Sequence, residues 1–215
     1  MGLDYQRARR PEQKLQRREA ILAAAGELAR ERAVREVSLG DIARRVGLAK
    51  SNVLRYFESR EEIFLRLLLR EWDDWREACA ARLQAAEPSA EGAAGAIAGT
   101  LGERPVFCDL SSEMSSVLER NVSADTAREF KAAALDKVDE LGRSVRDRLP
   151  ALTAEDAHET VAAALIMTQG LWPVANPAPH VRAMFADHPE LMRAHVDFEA
   201  RLRSLLTTLL RGMLA

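Results

Sequence analysis

SLGDIARRVGLAKSNVLRYFESREEIF, residues 38–64, carries two short amphipathic segments that meet at one glycine. Ser38, with Asp41 three residues on, caps a first helix, LGDIARRV, and Gly47 closes it. A second helix is expected at about residues 50–57. Ala43 is small where the two helices cross, Gly47 allows the positive φ of a tight turn, and Val53 plugs the second helix into the first. Ile42, Val46, Leu48 and Tyr56 complete the apolar underside. Lys50, Ser51, Asn52 and Arg55 remain on the outer face, the arrangement expected of a helix-turn-helix whose second helix enters the major groove.

The side chains on that face suit base edges and phosphates in different ways. Asn52 is able to pair with adenine through two hydrogen bonds, Lys50 to reach the acceptors of guanine, and Ser51 to serve either base. Arg44, Arg55 and Arg60, with the Ser38 hydroxyl, are suited to phosphates, which set register and carry the salt-dependent part of affinity. Tyr56 is counted with this DNA-facing set, although its ring and that of Phe57 chiefly seat the helix. Charge agrees with the assignment. Residues 1–60 hold 14 Lys and Arg against 8 Asp and Glu, whereas residues 61–215 hold 17 against 25. One end of the chain is built for a polyanion and the other is not.

The rest of the 215-residue chain, 47% hydrophobic and 30% charged, reads as helices separated by breakers. A first amphipathic helix is expected at about 16–33, from the spacing of Ile21, Leu22, Ala25, Leu28 and Ala29. Ser59 opens another, running through Ile63, Phe64, Leu67, Leu68, Trp72, Trp75 and Leu83. Further helices are expected near 89–101, 105–119, 124–148, 154–173 and 190–213, with PVANPAPH (173–180) as the long connection. No segment alternates like a strand for long, so the fold class is all-α. Cys79 and Cys108 are too few for a disulfide framework and suit small buried positions. The N-terminus lacks the apolar stretch of a signal peptide, and the longest apolar run, VAAALIM, falls well short of the roughly 18 residues of a membrane span. A cytoplasmic protein without membrane contact is expected.

Residues 16–64 resemble the DNA-binding domain of the TetR family of bacterial transcriptional regulators. Ala43, Gly47, Val53, Tyr56, Phe57, Arg60 and Ile63 carry the resemblance together. The family usually has Tyr where this chain has Leu54, and commonly Lys where it has Arg60. The resemblance implies two domains: a basic arm and helix-turn-helix over residues 1–60, and a helical ligand-binding and dimerisation domain over 61–215. It implies a regulator, in the commonest form a repressor, that binds a palindromic operator as a dimer and is released by a small molecule. Trp72, Trp75, Phe107, Met114, Met167, Gln169 and Trp172 are the candidates for a mainly apolar ligand pocket, which would favour a hydrophobic or aromatic compound. Leu191, His195, Phe198, Leu202, Leu205 and Leu209 recur at spacings of four and three. With the apolar run TVAAALIMTQGLW, which includes Leu165, they are the expected homodimer seam.

Catalysis has little to rest on. Glu155-x-x-His158 is half of a di-iron motif without its second half, and His180, His188 and His195 have no metal-ligand spacing. A P-loop, a nucleophile elbow and a dinucleotide fingerprint are all absent, so neither cofactor nor metal is expected. A helical adaptor that binds only protein is the alternative; it would need neither the basic N-terminal end nor the outward Lys50-Ser51-Asn52 triplet.

Overall fold

The computed structural model describes residues 3–188, 190–191 and 195–215. Ten α-helices and no strand lie among them. α1 (Leu3–Glu31), α2 (Leu39–Arg45) and α3 (Lys50–Val53) form the N-terminal unit, and α4 (Arg60–Ala85) leads out of it. α5 (Ala90–Gly102), α6 (Pro105–Glu113), α7 (Ala124–Arg148), α8 (Ala154–Ala175), α9 (Pro179–Asp187) and α10 (Phe198–Met213) follow.

Hydroxyl and carboxylate caps start the helices where the sequence places them. The side chains of Ser38, Ser59, Ser89, Ser123, Thr153 and Asp197 each accept from a backbone amide of the following first turn. Ser38 with Asp41 and Thr153 with Asp156 form complete capping boxes. One continuous core then runs from Ile21, Ile42, Val53 and Phe57 through Phe64 and Leu68 of α4 to Trp75, Phe107 and Leu141. α4 packs against α1 on one side and α5, α6 and α7 on the other, while α8 and α10 close the far end. Cys79 and Cys108 are buried and unpaired.

Four expectations shift. α1 starts well before residue 16, over residues with no apolar stripe to announce a helix. The segment expected to be helical from 105 to 119 stops at Glu113 and continues as a π-turn over Met114–Leu118 and a 3-10 turn over Glu119–Asn121. A serine-rich run explains the break: Ser112 Oγ donates back to the Cys108 carbonyl at 2.8 Å, a bond that competes with regular helix. α8 runs through Pro173 to Ala175, and the Pro-rich connection shrinks to residues 176–178 because Pro179 opens α9, the position in which proline suits a helix. Finally, the helix expected over 190–213 begins only at Phe198, where Asp197 caps the Ala200 amide at 2.9 Å. Leu191 and His195 are therefore outside it.

Candidate DNA interface and ligand cavity

The turn between α2 and α3 follows from Gly47. Its φ is 67°, the positive value among the described residues. Its amide donates to the Arg44 carbonyl at 3.2 Å, and the Leu48 amide donates to the Ala43 carbonyl at 2.9 Å. This paired closure satisfies the last carbonyls of α2 and needs a left-handed residue between them. Ala43 and Val53 are buried beneath the turn, as their places in the sequence require. α3 has one regular turn only. The chain continues to Phe57 in tight turns, with the Tyr56 and Phe57 amides both donating to the Val53 carbonyl.

Lys50, Ser51, Asn52 and Arg55 are exposed, and Tyr56 is half-buried. Lys50 lies across α2: a Cβ built on Gly40 would come within 2.6 Å of the Lys50 Cε, so a side chain there would displace the flexible end of Lys50. Arg55 and Tyr56 share an open groove with Gln13, Lys14, Gln16 and Arg17 of α1. None of these cations is paired with a carboxylate among the described residues. Gln13, Lys14 and Arg17 lie outside the helix-turn-helix motif, and their sequence signal is the basic face of the first helix.

Two expected phosphate contacts are placed differently. The Arg60 guanidinium turns inward, where it donates to the carbonyls of Val34 and Val37 and lies 4.7 Å from the Phe64 ring centroid. Its side chain is only 15% exposed, so its donors hold the turn before α2 and do not face solvent. Ser38 spends both its donors on Asp41, the amide at 2.9 Å and the hydroxyl at 2.7 Å. Those bonds, the hydroxyl's first, hold the Asp41 carboxyl well below the ordinary carboxylate range. Arg44 remains exposed beside it, 3.0 Å from Asp41. Arg18, unassigned from the sequence, donates to the Tyr56 carbonyl and covers the Phe57 ring at 4.2 Å, fastening α1 to the end of the α3 region.

A cavity of about 260 Å³ opens between α4, α6, α7 and α8. Trp72, Met114 and Gln169 line it, as does Leu165, which the sequence reading had placed in the dimer seam. Trp75 and Phe107 stand behind the wall, with ring centroids 5.2 Å apart. Met167 and Trp172 lie elsewhere, Trp172 edge-on to Phe198 at 5.1 Å. The remaining wall comes from Leu68, Ser111 and the α7 stripe Phe130, Ala134, Leu135 and Val138, with the Glu119–Lys131 pair beside it. The amphipathic pattern of α7 was the available signal for that stripe.

The profile of bacterial regulatory proteins of the TetR family matches residues 21–67, and that of the tetracyclin repressor-like C-terminal domain matches residues 69–215. The chain belongs to the TetR family. No curated protein matches it. Among solved structures it is similar to a transcriptional regulator from Rhodococcus sp. Rha1, at 18% identity over 92% of this chain and 98% of that one, with a TM-score of 0.55. FadR from Bacillus subtilis, solved in complex with stearoyl-CoA, is 16% identical over 90% of this chain and 98% of its own, with a TM-score of 0.54. A TetR-family regulator from Streptomyces coelicolor is 18% identical over 92% and 99%, at 0.50. At such identities the likeness establishes the fold.

TetR-family proteins are transcriptional regulators, not enzymes. No described helix of this TetR-family chain is long and apolar enough to cross a membrane. The expected dimer seam is corrected in part. Phe198 and Leu202 are buried within the subunit, where α10 packs on α5 and α8. Leu206 and Leu210 join them in the core. Leu209 and Leu191 are half-buried, and Leu205 is exposed. On α8 the outward apolar residues are Ile166 and Val174.

Proposed function

We propose that this protein is a dimeric repressor: residues 1–60 read a palindromic operator, and residues 61–215 bind a small, mainly apolar molecule and pair the subunits. The observation that carries the DNA reading is the exposed Lys50-Ser51-Asn52 face, held out by the Gly47 turn and continuous with a cationic groove formed by Arg55, Lys14 and Arg17. Asn52 and Lys50 read base edges; Arg55, Arg17, Lys14 and Arg44 meet phosphates.

The dimer reading draws on a face that the subunit leaves uncovered. Ile166 and Val174 of α8 and Leu205 of α10 are exposed, and Gly170 and Gly212 would accept a Cβ with nothing within 4 Å. These residues recur at helical spacing on two neighbouring helices, which suits a four-helix seam with a second copy. A two-fold dimer then presents its recognition helices to half-sites roughly 34–36 Å apart, or a multiple of that.

Coupling between cavity and DNA has a physical route. The Val34 amide, just before α2, donates to Asp109 of α6 at 2.7 Å, and Glu58 accepts from the Ser123 amide at the start of α7 at 2.8 Å. α6 and α7 both contribute to the cavity wall, so a ligand that spreads them pulls on both ends of the helix-turn-helix. It weakens DNA binding only by its differential affinity for the two arrangements.

The test is selection of preferred sites from random duplex DNA at two salt concentrations. Enrichment of a palindrome, with affinity falling steeply as salt rises, supports the reading. Absence of enrichment at both salts would overturn it in favour of the protein-binding adaptor.

A further inference from the structure

We infer that Leu54 is a specificity-determining residue of the DNA-binding face, and that it reads the 5-methyl group of a thymine in each operator half-site. The inference rests on the reading of residues 1–60 as the DNA-binding unit. A lone exposed leucine is ordinary on a protein surface; this one matters for where it lies. Leu54 is 47% exposed, and among the described residues it is the one large exposed apolar side chain of the α2–α3 region. Its amide donates to the Lys50 carbonyl at 3.1 Å, so the helical turn of α3 carries on to it and places it one turn beyond Lys50, on the same face. Val53, beside it, is buried, and Arg55, the next residue, opens onto the groove of Lys14 and Arg17. Leu54 therefore stands between the Lys50-Ser51-Asn52 triplet and the cations suited to phosphate.

Charge and groove chemistry identify the occupant. Lys50 and Arg55 flank Leu54, with Lys14 and Arg17 across the groove. That charge suits a polyanion, and an apolar protein surface laid over it would strip water from the cations without pairing them. Base edges in the major groove present hydrogen-bond donors and acceptors, and the apolar group on offer is the thymine 5-methyl. Leucine has neither donor nor acceptor. Set against a purine edge or a phosphate, it would remove water from a polar group and return no hydrogen bond. Set against the methyl, both apolar surfaces leave water together. Reach agrees with this placement. One helical turn from Lys50 rises about 5.4 Å, less than two base-pair steps of about 3.4 Å each, so Leu54 and the triplet address the same half-site.

The test compares thymine with uracil, which lacks that methyl and is otherwise the same base. Duplexes selected by the full-length protein as preferred sites are remade with uracil in place of thymine, one position at a time, and equilibrium binding is measured by fluorescence anisotropy. At one thymine position, uracil is expected to weaken wild-type binding about fourfold in one half-site and about fifteenfold in both. Leu54→Ala, too short to keep the contact, should bind the thymine and uracil duplexes alike at that position, with the salt dependence of the wild type. Leu54→Met, which keeps an apolar side chain of similar reach, should retain most of the discrimination. Wild-type binding indifferent to uracil at every thymine, a discrimination that survives in Leu54→Ala, or preferred half-sites without thymine would each overturn the inference. So would a changed sedimentation coefficient in Leu54→Ala with the thymine preference intact, which would make Leu54 a contact to a second copy. The wild-type comparison stands even where Leu54→Ala fails to fold. A preferred duplex that tolerates uracil everywhere would sink this inference alone, whereas failure to recover any preferred duplex would sink the DNA-binding reading and this inference with it.

Discussion

Asn52 and Arg60 illustrate how differently two polar residues of one motif are used. Asn52 is exposed at the start of the recognition face. Replacing it with Ala should cost about 1–3 kcal/mol of operator affinity and relax preference at one base pair. Binding measured across a set of single-base operator variants checks this, and an equal loss on every sequence would refute the role. Arg60, eight residues on, donates to the Val34 and Val37 carbonyls. Arg60→Ala should therefore lower folding stability by about 2 kcal/mol in urea unfolding while leaving the salt dependence of DNA binding as it was. A salt slope shallower by about one phosphate contact, with unchanged stability, would restore the phosphate role.

At the scale of the element, the α2–α3 turn depends on one backbone conformation. A Cβ on Gly47 would meet nothing within 4 Å, so the cost of a side chain there is purely conformational. Gly47→Ala should destabilise the fold by about 1–2 kcal/mol, with Gly47→Asn milder and Gly47→Val worse; equal denaturation midpoints for all three would show that the turn relaxes. The capping boxes make a second element-scale prediction. Asp41 and Asp156 both have depressed carboxyl pKa values, caused first by the hydroxyls of Ser38 and Thr153 and then by backbone amides. A depressed pKa contributes stability that is present above the unfolded value, about 3.9, and is lost as pH falls through the folded value. The stability gap between wild type and Asp41→Asn should stay constant from neutral pH to about 5 and shrink below about 4. A gap that instead narrows toward neutral pH would mean that the carboxylate is not held by the box.

For the whole molecule, the subunit alone leaves an apolar face on α8 and α10. Ile166 is 67% exposed and Leu205 38%, so neither holds the subunit together. Ile166→Glu and Leu205→Glu should each leave helicity and melting of the monomer intact but shift the sedimentation coefficient from dimer to monomer and weaken palindrome binding. An unchanged dimer in both variants would place the seam elsewhere. The same scale explains the correction to α10. Its sequence has two apolar stripes, and spacing alone does not say which meets α5 and α8 of its own subunit. The structure turns Phe198, Leu202, Leu206 and Leu210 inward and leaves Leu205 exposed.

What residues 38–64 determine by themselves is local. Caps, the Gly47 turn and the alternation of buried and exposed positions depend on neighbours within a few residues, so their chemistry is legible in the sequence. The all-α class and most helix starts follow from the same short-range rules. Only the tertiary structure decided matters that depend on residues far apart in the chain. It turned Arg60 onto the carbonyls of Val34 and Val37, brought Lys14 and Arg17 beside Arg55, and moved Leu165 from an expected seam to a cavity wall. It also left Trp72 with a buried donor and gave Trp75 an acceptor in Thr100, 25 residues away. Helical periodicity specifies a face but not its partner. That partner is set by how α4, α6, α7 and α8 pack around one shared core.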